Sequence, residues 1–334
     1  QSRAQFGRYG ALLVVIFTTF IYLGFFTSNI ILSGKTLHTV IPAIPVPTAT
    51  VIGAIVATLI GIIGYHFIHK FNKIGTWFMG GALLIGFALM IPHVTAEVLA
   101  KGSFNLKGWF AMFCVCAIWQ ISFSPYTSDY SRYLPKEIGI FKPFINTYLG
   151  AALGTIIAFS FGMLAVSIMT TNDAMLAVKT VTGGFGYVLM ILFLCNIIGH
   201  NAMNLYGASL SFITAIQTFA GKWIPSKNTR ILLSIFVLIL STGTALWASS
   251  SFISYFLNFI FALLFILIPW VVINLMDFYY INKKCYDIDS IFDENGGKYG
   301  KYNVKTLAAY FIGIVVQIPF LTNSFFTGMF ANII

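Results

Sequence analysis

Long stretches of the chain carry no charged side chain, and this restricts the fold more than any motif does. A helix needs about 20 consecutive, mostly apolar residues to cross a bilayer core. Nine runs approach or exceed that length, at roughly 10–33, 49–69, 75–92, 108–127, 144–169, 185–212, 230–248, 252–276 and 304–322. Charged residues make up 8% of the chain, against roughly 25% in soluble domains. The pattern predicts an all-α polytopic membrane protein whose single transmembrane domain occupies 1–334. The net charge of +10 does not indicate a nucleic-acid partner, because membrane proteins collect Lys and Arg on cytoplasmic loops for topological reasons.

Loop charges also predict an orientation. With the N-terminus in the cytoplasm, fifteen of the nineteen Lys and Arg residues fall on that side, and only Lys35, Lys101, Lys107 and Lys179 on the other. The multi-pass chain is therefore expected in the plasma (cytoplasmic) membrane with its N-terminus inside. No small-residue cleavage site follows the first run, which is too long for a cleavable signal peptide. The four cysteines read as packing residues, since Cys114 and Cys116 are too close for metal-type spacing. Asp287, Asp289, Asp293 and Glu294 with Gly296-Gly297 do not match the spacing of a calcium loop. Neither a metal nor a cofactor is expected.

Polar residues inside apolar runs carry the information about function. "CNIIGHNAMNLYGASLSF" (Cys195 to Phe212) is the densest such segment. Asn196, His200 and Asn204 recur every four residues and are expected along one side of a helix, with Asn201 about 100° from His200. Any single Asn fits interhelical hydrogen bonding as well as ligand binding. Three Asn and a His within nine residues point to a site. His200 is either a group that titrates near physiological pH, and so a proton-coupling candidate, or a neutral structural imidazole.

Two other segments offer rings beside amides. Phe25 and Asn29 share a helix face in "YLGFFTSNIILSG" (Tyr22 to Gly34), and Trp119, Gln120 and Phe123 cluster in "WQISFSPYTSDYSRYLPK" (Trp119 to Lys136). Rings stack on the faces of a flat heterocycle while amides pair with its edges, so a planar polar ligand suits both. Pro125 removes a backbone donor, giving either a deliberately broken helix or a plain stop at the membrane edge. Asp129 and Arg132, three apart, are placed for a helical ion pair. The spans contain no Ser-His-Asp or HExxH arrangement, so no enzymatic activity is expected.

"SPYTSDYSRYLP" resembles the end of the sixth helix in the nucleobase–cation symporter family one, the cytosine/purine permeases. "SRAQFGRYG" is similar to the start of that family's third helix. "HNAMNLYGASLSF" resembles its eighth, nearest the fungal purine–cytosine permease branch. "DFYYINKKCYD" followed by "GGKYGKYNVKTLAAY" looks like the connector after its tenth. These motifs fall in the family's order and run nearly end to end.

The resemblance implies a leucine-transporter-like fold of two inverted repeats working by alternating access. It implies a symporter importing a nucleobase such as cytosine or a purine. Hydantoin, allantoin, uracil or a thiamine-related pyrimidine are the alternative cargoes on the same fold. Phe25 stands where the family stacks an aromatic on the base, and Asn29 where an amide contacts it. Trp119 or Phe123 matches the second stacking ring, with Gln120 beside them, and Asn201 and Asn204 match the amides of helix eight. Where sodium-coupled members carry hydroxyl residues, this chain has Gly199 and His200, with Asn196 one turn earlier, which favours a proton over sodium. The segment around Pro125 becomes the inner half of a substrate-site helix anchored by Asp129 and Arg132. The match begins at family helix three and stops after helix eleven, implying a fragment without the first two helices and the last; a truncated, non-transporting protein is the rival reading. Lipid and the small-molecule cargo are the expected partners, with no obligate protein partner and no nucleic acid.

Overall fold

The computed structural model describes residues 2–100, 102–131, 134–171, 173–221, 223–321 and 326–331. Among them helices follow one another as α1 (Arg3–Phe6), α2 (Ala11–Val40), α3 (Val46–Ile63), α4 (Tyr65–Met90) and α5 (Ala96–Ala100). Next come α6 (Leu106–Ser122), α7 (Ser124–Ser131), α8 (Phe141–Met169), α9 (Ala174–Val181) and α10 (Phe185–Phe219). The last four are α11 (Lys227–Ala248), α12 (Phe252–Met276), α13 (Ile288–Phe292) and α14 (Val304–Gln317). Several start where a polar loop residue caps the first turn: Asn105 accepts from the Gly108 N–H, Ser226 from Thr229 and Asn303 from Thr306. Such caps satisfy donors that a helix leaves open at its beginning.

Seven segments are long and apolar enough to cross a membrane, so the chain is an integral multi-pass membrane protein. Two of the nine expected spans do not stand as separate long segments. Lys227–Ile281 is one apolar stretch of 55 residues, yet Ser249–Ser251 interrupts it with a single 3-10 turn. The final run forms the shorter apolar helix Val304–Phe320, which tightens to 3-10 geometry at Ile318–Phe320, with Pro319 in its first turn.

Side-chain contacts give the direction of each helix. α10 packs most extensively on α2 and runs opposite to it. Arg8, before α2, bonds the Thr218 carbonyl late in α10. Lys179, before α10, bonds the Thr39 carbonyl late in α2 at 2.8 Å. α11 leaves the end of the bundle that holds Arg8, since Ser234 meets Ser209. α12 returns: Lys35 lies 5.2 Å over the Phe252 ring, whereas Trp270 Nε1 donates to Ser2 Oγ. α11 and α12 are therefore two antiparallel crossings, as their two separate apolar runs predict.

Close approach holds the centre together. Gly34 sits against Thr50 and Gly53 against Ser33, so α2 and α3 touch nearly backbone to backbone. Small residues serve helix pairs in lipid in this way, because dispersion contact replaces the absent hydrophobic drive. Pro269 lies inside α12 and deprives the Phe265 carbonyl of its helical donor. The Gln317 amide of α14 donates to that carbonyl at 3.3 Å, and Tyr310 donates to the neighbouring Ile266 carbonyl at 3.0 Å. A neighbouring helix thus re-satisfies backbone that would otherwise be orphaned in hydrocarbon.

Residues before α2 are pinned beneath the α12–α14 connector. Asp277, buried at the end of α12, accepts from Gln5 Nε2 (2.8 Å), Tyr286 OH (2.7 Å) and Asn282 Nδ2 (2.8 Å). Partial burial and the Asp277 bond push the Tyr286 phenol up to about 12, so it stays a donor at neutral pH. Arg8 donates from its guanidinium to the Asp293 carbonyl, and its backbone N–H to the Gly300 carbonyl. The cysteines are all unpaired: Cys114 and Cys116 are half-buried, while Cys195 and Cys285 are exposed, so those two do not pack as expected.

Candidate functional site

Halfway along α2, Phe25 and Asn29 lie one turn apart. Phe25 is buried and sits edge-on to Trp119 of α6, with centroids 6.1 Å apart and planes at 85°. Phe259 of α12 meets it in the same way, at 5.3 Å and 84°. Trp119 also meets Phe159 of α8 at 5.6 Å and 61°, and it keeps 39% of its surface exposed. Four helices therefore deliver rings to one spot, and part of the Trp119 surface remains available. Edge-to-face pairs of this kind add about 0.5–1.5 kcal/mol beyond burial. Asn29, half-buried, makes no hydrogen bond to any described residue, so its amide has donors and an acceptor to offer.

The other amides behave differently. Asn201 Nδ2 donates to the Phe26 carbonyl (3.1 Å), Asn204 Nδ2 to Asn201 Oδ1 (3.1 Å), and Tyr126 OH to Asn204 Oδ1 (2.6 Å). This chain of bonds ties α2 to α10 and α7, with both Asn at most 1% exposed. Behind the open rings, Asn201 and Asn204 thus form a closed support. Tyr126, itself buried, lies edge-on to Tyr22 (4.7 Å, 72°) and parallel to Phe123 (5.6 Å, 6°). Sequence reasoning passed over Tyr126, although its place one turn beyond Phe123 was visible.

Asn196, His200 and Asn204 do not share one face as expected. Each step of four residues drifts by about 40° around a helix of 3.6 residues per turn, so the two ends differ by about 80°. Asn204 is buried, whereas Asn196 and His200 are exposed. The His200 ring lies beside Tyr126, 6.3 Å away and nearly parallel at 18°. Gly199 faces α4 instead: a Cβ there would come within 2.6 Å of the Phe71 ring. Asn72 in the same seam donates to Met203 Sδ at 2.9 Å.

Gln120 turns toward α8, where its Nε2 donates to Thr155 Oγ1 (2.9 Å) and the Ala151 carbonyl (3.2 Å). The interruption between α6 and α7 falls at Phe123, two residues before Pro125. Pro125 occupies the first turn of α7, a position where its missing N–H is tolerated, and the chain stays helical through Ser131. Ser122 Oγ donates to the Trp119 carbonyl and Thr127 Oγ1 to the Phe123 carbonyl. The Asp129 side chain and Arg132 lie outside the described residues.

Among the described residues no three His, Cys, Asp or Glu side chains gather as metal ligands. Rings, an open amide and a polar support thus meet at one place inside a helical membrane bundle. Residues 1–333 match the family described as permease for cytosine/purines, uracil, thiamine, allantoin, and the chain belongs to that family. It is 36% identical over 340 residues to a putative purine-cytosine permease of Bacillus subtilis, covering 99% of this chain and 73% of the relative. A purine-cytosine permease of Emericella nidulans is 22% identical over 282 residues, covering 78% of this chain and 54% of that protein. These relatives are transporters, not enzymes.

Proposed function

We propose that the chain imports a nucleobase, cytosine or a purine, as a proton-coupled symporter of the plasma membrane that works by alternating access. The unpaired Asn29 amide one turn from the Phe25–Trp119–Phe259 cluster is the observation that carries this reading. A base stacks on the exposed Trp119 surface and pairs its edge with Asn29, and Phe25 and Phe123 complete the apolar walls. The Asn201–Asn204–Tyr126 chain holds the helices in register behind the base. The family description also names uracil, thiamine and allantoin, and these supply the second reading of the cargo on the same site.

Radiolabelled cytosine, adenine and hypoxanthine uptake in cells without their own base uptake is expected to saturate, and absence of saturable uptake of any base sinks the proposal. Competition with uracil, allantoin and thiamine separates the two readings of the cargo. Proton coupling rests on His200 and Gly199 occupying the place of the family's hydroxyl residues. Uptake should rise as external pH falls and persist without sodium; a strict sodium requirement overturns the proton. His200→Ala is expected to flatten that pH dependence, and a variant that keeps it in full clears His200.

The N-terminus is placed in the cytoplasm because fifteen of nineteen basic residues fall on its side. Cys285, exposed in the α12–α14 connector, reports on this directly. A membrane-impermeant maleimide should label it only after cells are permeabilised, and labelling of intact cells reverses the orientation.

A further inference from the structure

A cavity of about 360 Å³ opens between the α3–α4 junction, α10 and α11, away from the aromatic cluster. His66, Lys227 and Arg230 stand around it, with Tyr206, Ser209 and Ser234 among the other lining residues. Ser209 and Ser234 are buried and share a hydrogen bond at 3.4 Å, forming a hydroxyl floor. The Arg230 guanidinium lies over the Tyr206 ring, 5.6 Å from its centroid. No acidic residue lines the cavity, and exposed Lys227 and Arg230 make no ion pair with any described residue. Lys70 and Lys73 follow His66 at four and seven residues and share its helix face.

Uncompensated positive charge around a polar floor, where Ser234 Oγ donates to the Arg230 carbonyl at 2.9 Å, calls for an anion. The walls say which kind. Ile63, in the cavity wall, is 66% exposed, and in a bilayer such a side chain meets acyl tails. A free anion has no use for that apolar border, whereas a phospholipid does. We propose that this cavity binds the phosphate headgroup of an anionic phospholipid, with its acyl chains lying along α3 and α11. Lys227 and Arg230 then contact the phosphate, and the lipid sits over the seam where α3 and α11 already touch.

The experiment places the full chain in nanodiscs of phosphatidylcholine mixed with phosphatidylglycerol and counts retained lipids by native mass spectrometry. Wild type should retain phosphatidylglycerol preferentially, and the double variant Lys227→Gln/Arg230→Gln should lose that preference by roughly fivefold per residue removed. The double variant Lys298→Gln/Lys301→Gln, which removes equal charge from the connector, should keep it. Equal loss in both variants shows diffuse attraction to the membrane surface and overturns the site. Equal retention in wild type and in the Lys227/Arg230 variant overturns it as well, as does displacement of the lipid by inorganic phosphate, which assigns the cavity to a free anion. All four substitutions are at exposed positions, so each variant should unfold at the wild-type temperature in pure phosphatidylcholine.

Discussion

Asn29→Ala is expected to weaken nucleobase binding by roughly 10- to 100-fold and leave thermal stability unchanged, while Asn204→Leu mainly lowers stability. The asymmetry follows from where each amide spends its hydrogen bonds. Asn29 makes none with the described residues, so its removal leaves no protein group stranded; the loss falls on the ligand, at about 0.5–1.5 kcal/mol per hydrogen bond. Asn204 accepts from Tyr126 and donates to Asn201. Leucine there removes the acceptor that the Tyr126 hydroxyl uses and leaves the buried Asn201 Oδ1 without the Asn204 donor. Buried groups left unpaired cost about 1–3 kcal/mol, although interhelical bonds in lipid average nearer 0.6 kcal/mol because the separated helices also find partners. The sum should be about 2 kcal/mol, read as a lowered unfolding temperature in detergent. Binding measured by scintillation proximity on the same preparations completes the test. If Asn204→Leu binds nothing at wild-type stability and Asn29→Ala binds normally, the amides of α10 are the ligand's and the assignment is reversed.

Gly34→Val should be the most damaging single substitution on the α2–α3 seam. A Cβ at Gly34 would stand 2.1 Å from Thr50 Oγ1 and 2.8 Å from the Thr50 backbone nitrogen. The hydroxyl can rotate away, but the backbone nitrogen cannot, so the helices must separate. Separation also loosens the Gly53–Ser33 contact one turn further along. Overpacking typically costs 1–3 kcal/mol, and the absence of a flexible neighbour sets the expectation at about 3 kcal/mol. The yield of monodisperse protein should collapse. Gly80 is the control: it lies within α4, and a Cβ there meets nothing within 4 Å. Gly80→Ala should be neutral or slightly stabilising, since glycine costs a helix about 1 kcal/mol relative to alanine. Similar behaviour of the two variants removes close approach as the cause.

Features set by one-dimensional pattern were legible before any coordinates. Hydrophobic run length identified the spanning segments because the bilayer leaves an exposed backbone no alternative to the helix. Phe25 and Asn29, one turn apart on α2, were placed correctly relative to each other because that relation is local. The grouping of Asn196 with Asn204 was not, because small angular errors accumulate along a helix and place residues eight apart on different faces. Gln120 looked like part of a binding face, but only the position of α8 showed where its amide points. Tyr126 went unnoticed for the same reason: its partner Asn204 is 78 residues away, and no local periodicity links them.

The sequence by itself thus determined that the chain lives in a membrane, crosses it repeatedly as helices, and carries rings and amides where charge is forbidden. Run length, loop charge and residue chemistry are properties of a segment, and they need no neighbour to be read. Tertiary structure alone decided that Gly199 serves α4 and that Gln120 turns to α8. It also separated two kinds of amide that look identical in sequence. Asn201 and Asn204 are spent on Phe26, Tyr126 and each other, whereas Asn29 is left open beside Phe25. Whether an amide is glue or is available to a ligand depends on what packs against it, and that is settled only when distant helices meet.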